Sequence, residues 1–228
     1  MNHPFSAAKL LAAAALTLLA TAAPAAFVIN ETDSDTTNTP STDFSEYVEL
    51  KGNANESVAG LTIVFFNGGT GNANPPAYRA MDLTGNANAS GYYIIANPGV
   101  VSPDPAVTFP SNTLQNGEDA VALCSGTTAA AWGGTVGPFA TLQAPPTGNV
   151  FVDSIVYQTG ADANATWTGL PSTTVYDEFD AAATALSGDF ASLSRVPDGT
   201  GTFQRTNRTP LATNDVGPVA AVQDWQVY

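Results

Sequence analysis

The stretch Ser192–Asp215, SLSRVPDGTGTFQRTNRTPLATND, holds three of the six basic residues in the 228-residue chain. Arg195 interrupts a short β-leaning run, Ser192–Val196, that stops at Pro197-Asp198-Gly199. That tripeptide reads as a turn, with Gly199 in the positive-φ conformation that other residues avoid. A lone arginine there is either a ligand for an acidic partner or a clasp to a neighbouring strand. A planar guanidinium with five donors can tie carboxylates and loop carbonyls together at a sheet edge. Glu31, Asp33 and Glu49 near the start of the chain supply partners, since first and last strands of a sandwich often lie close. Arg195, Asp198 and Gly199 are therefore expected to be structural. Arg205 and Arg208 lie in more polar sequence and are expected at the surface.

Comparable runs recur upstream: FVIN (27–30), EYVELK (46–51), LTIVFF (61–66), AYRAMDL (77–83), GYYIIA (91–96), DAVALC (119–124) and VFVDSIVYQ (150–158). Many alternate apolar with polar residues, as in Tyr47-Val48-Glu49-Leu50, where Val48 and Leu50 share a face. Gly, Asn, Pro or Asp separates them. Eight or nine short strands with little helix predict an all-β sandwich or barrel. GNAN recurs at 52–55, 71–74 and 85–88, too short and unevenly spaced for a solenoid, and each copy reads as a loop tip. A helical period is confined to Asp177–Leu186, where Asp177, Glu178 and Asp180 suit a helix N-terminal turn. The insert 125–149 has no period and is long for a loop, with Trp132 and Phe139 expected to pin it to the sandwich.

The first 25 residues read as a secretory signal peptide: His3 and Lys9, then LLAAAALTLLA, then small residues that place cleavage after Ala25. No later apolar stretch approaches the roughly 20 residues a membrane-spanning helix needs. The expected organisation is a leader (1–25), one β-sandwich domain (26–215, with the insert 125–149) and a tail (216–228), in a secreted or periplasmic protein. Loss of Lys9 takes the formal net charge from −14 to −15. Such a surface repels nucleic acid, whose binding depends on Lys and Arg at the phosphates, and acidity also keeps an exported protein soluble. The only histidine, His3, leaves with the leader, which removes imidazole from general-base, Ser-His-Asp and zinc chemistry. Cys124, the only cysteine, reads as a small buried hydrophobe.

Taken in order, FVINETDSDTTNTPSTDFSEYVEL, VAGLTIVFFNG, LTGNANASGYYIIANP, LQNGEDAVALC, VFVDSIVYQ and SLSRVPDGTGTFQRTNRTPLATND resemble the lamin tail domain (LTD) family in its secreted bacterial form. The resemblance runs from Phe27 to about Asn214. It departs at Thr209-Pro210-Leu211, where the family has Thr-Pro-Gly, in the long insert, and in the tail. It implies an immunoglobulin-like β-sandwich that is non-catalytic and stands alone or beside extracellular nucleases and phosphatases. It also implies an arginine at the position of Arg195.

Two acidic clusters bear on function. Glu31, Asp33, Asp35, Asp43 and Glu46 lie within 16 residues among hydroxyl and amide oxygens, and Ca²⁺ takes six to eight oxygen ligands. They form a candidate calcium site, set against a plain solvated loop; the spacing is not that of an EF-hand. The second cluster, Asp177, Glu178 and Asp180, is weighed against carboxylate-based glycoside hydrolysis, but adjacent residues rarely converge on one substrate. No catalytic residue is assigned. The expected function is an exported binding or scaffolding module whose partner is an extracellular protein or an envelope glycan. The alternative is an accessory, substrate-presenting protein for an extracellular nuclease or phosphatase.

Overall fold

A computed structural model describes residues 27–34, 45–69, 71–159, 165–178 and 191–214. The proposed leader, Asp35, Asp43, Asp180 and the tail 216–228 lie outside the described residues. The strands are β1 (Val28–Asp33), β2 (Tyr47–Lys51), β3 (Leu61–Asn67), β4 (Ala77–Asp82), β5 (Tyr92–Ala96), β6 (Val107–Thr108), β7 (Asp119–Ser125), β8 (Val150–Gln158), β9 (Val175–Asp177), β10 (Ala191–Val196) and β11 (Thr202–Asn207). They form a six-stranded sheet, β11-β10-β1-β2-β5-β6, and a five-stranded sheet, β4-β3-β7-β8-β9. Each sheet is antiparallel except for one short parallel pair, β5 with β6 and β8 with β9. The eight expected strands all form. The additional ones are two short parallel edge strands and the polar β11.

Strand alternation assigns the faces. Ile29, Val48, Leu50, Ile95 and Leu193 of the first sheet pack against Ile63, Phe65, Val121, Leu123 and Ile155 of the second. This is the usual interior of two stacked sheets about 10 Å apart. Yet β3, β5 and β7 are buried along almost their whole length. Both outer faces are covered as well.

The cover of the second sheet is apolar. Small residues Ala80, Ala120, Ala122 and Cys124 let Trp132, Leu142, Trp167 and Leu170 lie close to the strands. Trp132 is fully buried, edge-on to Phe66 with ring centroids 5.4 Å apart. It ends α1 (Ala129–Trp132), a one-turn helix with Thr128 as N-cap. The insert also occupies the free edge of β4: Ala80 N donates to Gly134 O at 2.8 Å and Ala77 N to Ala140 O at 2.9 Å. Edge strands left open invite intermolecular pairing, so the insert both plugs a face and closes an edge. The GNAN copies at 52–55 and 85–88 are loops that hold each other, with Asn55 N donating to Asn88 O at 3.0 Å.

Of the expected helical stretch Asp177–Leu186, only Asp177 and Glu178 are among the described residues. Asp177 ends β9, and buried Glu178 accepts from the backbone N and the Oγ of Ser34. With Asp153, whose Oδ2 accepts from Ile29 N at 2.8 Å, Glu178 brackets β1 at both ends from the opposite sheet.

Candidate functional site

Among the described residues, the outer face of the first sheet carries a dense layer of polar side chains. A bulge at Asn30 shifts the register of β1 against β2 between Ile29 and Glu31. Ile29 thus enters the core while Glu31 and Asp33 point outward. Their cross-strand neighbours on that face are Glu49 and Tyr47 of β2 and Ser194 of β10. Four residues here, Glu31, Asp33, Tyr47 and Glu49, are fully buried. Burial of so many carboxylates requires donors.

Donors come from the sheet itself and from the chain that follows β11. Residues 208–214 form a strap that turns back across this face. Glu31 Oε1 accepts from Thr209 N at 2.8 Å, Tyr47 Oη at 2.5 Å and Ser192 Oγ at 2.6 Å. Its Oε2 accepts from Thr209 Oγ1 at 2.9 Å. Glu49 accepts from Asn30 Nδ2 at 2.9 Å and from Leu211 N. Arg208 forms an ion pair with Asp33, donates to Ser45 O at 2.7 Å and lies over the Tyr47 ring. Leu211 packs beside Tyr47, Ile94 and Ala96.

The Pro197-Asp198-Gly199 turn closes the network. Gly199 has φ +67°, and its N donates to Asn30 Oδ1 at 2.8 Å. Asp198 accepts from Asn214 N at 2.8 Å and Tyr92 Oη at 2.5 Å. Asn214 Nδ2 reaches Asn30 O at 3.2 Å and Arg195 O at 3.3 Å. Asn30, Glu31, Glu49, Ser192, Ser194, Asp198, Thr209 and Asn214, scattered over 185 positions of sequence, meet in one layer.

Arg195 lies on the other side of β10, between the sheets, over the Phe203 ring at 4.3 Å. It is a clasp on the first strand, with Nε donating to Ile29 O at 2.7 Å and one terminal nitrogen to Gly201 O at 2.9 Å. The expected carboxylates are corrected. Its partner is Asp153 of β8, met at 2.9 Å by both oxygens, because alternation puts Arg195 on the core side and Glu31, Asp33 and Glu49 on the outer side. Arg208, expected at the surface, is instead the cation that neutralises buried Asp33. Arg205 is half-buried on β11.

The electrostatics follow from burial. The Glu49 carboxyl is pushed up to about 8, first by burial and then by the Glu31 charge, against the donors Asn30 and Leu211. Tyr47 is held well above its ordinary range by burial and by the Glu31 and Asp33 charges. At Asp198, burial pushes upward, but donors from Tyr92, Asn214 and Asn30 outweigh it and hold the carboxyl low. Burial also pushes the Cys124 thiol up.

Of the five candidate calcium residues, Glu31, Asp33 and Glu46 are among the described residues. Glu31 and Asp33 share the outer face with their oxygens engaged as described. Glu46 lies on the core-facing side, where Oε2 accepts from Thr113 N at 2.9 Å. Among the described residues no group of three or more acidic, histidine or cysteine side chains is arranged to hold a metal. Sequence reasoning missed Asp153, Thr209 and Asn214. Asp153 carried a signal, since it shares the core parity of Ile155 and Tyr157 within an apolar strand. The strap carried none, because a polar segment after the last strand reads as a loop.

No family model, curated protein or solved structure matches the chain.

Proposed function

We propose that this chain is an exported, non-catalytic binding and scaffolding module of the bacterial cell exterior, an immunoglobulin-like sandwich akin to lamin tail domains. One observation carries the reading. The stretches that bear the resemblance, VIN-E, YVEL, SLSRVPDG and TPLATN, meet in one closed network of buried side chains. Chemistry used this way is architectural: each carboxylate of the layer is engaged by donors that hold the strap to the sheet. A rigid frame under a Thr- and Asn-rich surface suits presentation of binding loops.

The test is retention from an envelope fraction on the immobilised protein, with free protein as competitor. Specific, competable retention of an extracellular protein or an envelope glycan is expected. Retention no different from that of an unrelated acidic β-sandwich, or turnover of DNA, phosphoesters or glycans with divalent metal present, overturns the proposal.

A further inference from the structure

Away from the strap, a groove of about 360 Å³ opens beside the loop that leads into β7, lined by Glu118, Thr166, Trp167, Thr168, Thr173 and Val175. Its floor is built. Glu118 is 5% exposed, and its Oε1 accepts from Trp167 Nε1 at 2.7 Å and Ala165 N at 3.0 Å. Both donors fix one oxygen. No donor to the other, Oε2, is present among the described residues, and Glu118 lines the groove.

We infer that this groove takes the ammonium group of a lysine side chain presented by an exported partner protein. The inference rests on the binding-module reading above and names its ligand chemistry. A carboxylate whose second oxygen has no donor among the described residues, in a groove lined by no basic residue of a chain with net charge −14, attracts a cation through both the local and the overall field. One free oxygen cannot receive the two parallel bonds of a guanidinium fork, whereas an ammonium is a point charge with three separate donors. Thr166, Thr168 and Thr173 also line the groove, and a threonine hydroxyl is an acceptor suited to the remaining donors. Val175, 38% exposed, gives the four-carbon stem an apolar surface. A lone carboxylate falls short of the six to eight oxygens calcium takes. The groove's volume is within the range of small-ligand sites.

The Trp167 indole N–H reports directly, because it donates to the carboxylate that would bind. In ¹⁵N NMR of the exported protein, its resonance is assigned by elimination with Trp132→Phe and Trp225→Phe. Titration with Nα-acetyl-lysine amide is expected to shift that resonance saturably, and the shift should weaken in about 0.5 M NaCl. Glu118→Gln keeps an oxygen for Trp167 and should lower the apparent affinity by about tenfold or more, as loss of a charged hydrogen bond does. Thr168→Val, on the groove rim, should weaken binding by a few fold without moving the free indole resonance. An equal shift with Nα-acetyl-norleucine amide or a methyl glycoside, unchanged affinity in Glu118→Gln, or no shift at about 50 mM probe overturns the inference. Envelope retention that persists after such a failure leaves the module reading standing and moves the binding surface elsewhere. Loss of retention alone, with the lysine probe still bound, strikes the reading but not the groove.

Discussion

Replacing Glu49 by glutamine should change how stability depends on pH, and the direction can be worked out. The carboxyl rises from 4.5 to about 8 in the folded protein because it is buried beside Glu31. In the unfolded chain it ionises near its ordinary value. Between those two points the folded protein holds a proton that the unfolded chain has released. Stability therefore falls as pH rises through this window and levels off above pH 8. At about 1.4 kcal/mol per pH unit, the window is worth about 4–5 kcal/mol. Glutamine has nearly the same shape and never ionises. It also places an NH₂ opposite one of the two donors, Asn30 Nδ2 or Leu211 N, a mismatch costing about 1–3 kcal/mol. The variant should thus be less stable than wild type at about pH 5 and more stable at about pH 8, with the two curves crossing between. Urea unfolding of both proteins at several pH values, followed by circular dichroism, measures this. Titrating groups that do not interact with Glu49 cancel in the difference. Parallel curves across the window would mean that Glu49 is not protonated in the fold, and the account of the buried layer would be wrong.

Arg195→Lys keeps the charge but cannot reach Ile29 O, Gly201 O and both Asp153 oxygens at once, so it should cost about 2–3 kcal/mol. Calorimetry should then show a fall in Tm of about 4–12 °C for a domain of this size, and the loss should be strongly non-additive with Asp153→Asn. Arg208→Ala strips buried Asp33 of its cation and should destabilise by about 3–5 kcal/mol, measured by urea unfolding, unless Asp33→Asn is introduced with it. Trp132→Ala should cost about 3–5 kcal/mol through the cavity it leaves, and light scattering should detect self-association as the β4 edge loosens.

The fold was legible where alternation was clean. EYVELK, DAVALC and VFVDSIVYQ each declare a strand and a face, and the frame follows from them. β11 was not legible, because Phe203 alone gives it an apolar face and the rest, Gln204 to Asn207, looks like loop. The extra strands β6 and β9 are two and three residues long, below what a period can reveal. In the site, the clasp role of Arg195 followed from one charge in an apolar run. Its partner did not follow, since choosing Asp153 over Glu31 requires the face of each strand across two sheets. The bulge at Asn30 is the deeper reason. It resets the alternation of β1 in mid-strand, so residues that share a parity in the sequence do not share a face in the structure.

The two outer covers solve the same problem with opposite chemistry, and the difference has a consequence for how the fold is specified. Over the second sheet, small side chains receive Trp132 and Leu142, and apolar packing tolerates adjustment. Over the first, apart from Leu211 against Tyr47, Ile94 and Ala96, the strap is held by directional bonds to particular atoms: Thr209 to Glu31, Leu211 to Glu49, Asn214 to Asp198. A one-residue slip of β10 would turn Ser192 and Ser194 into the core and Leu193 and Arg195 out to the strap. It would leave Glu31 short of a donor and Asp153 without its cation at once, and each loss is costly in a buried setting. An edge pair such as β10 and β11, with little apolar area of its own, gains register from these bonds that packing alone would not provide. That is a physical reason for so acidic a chain to bury carboxylates that it could have left in water.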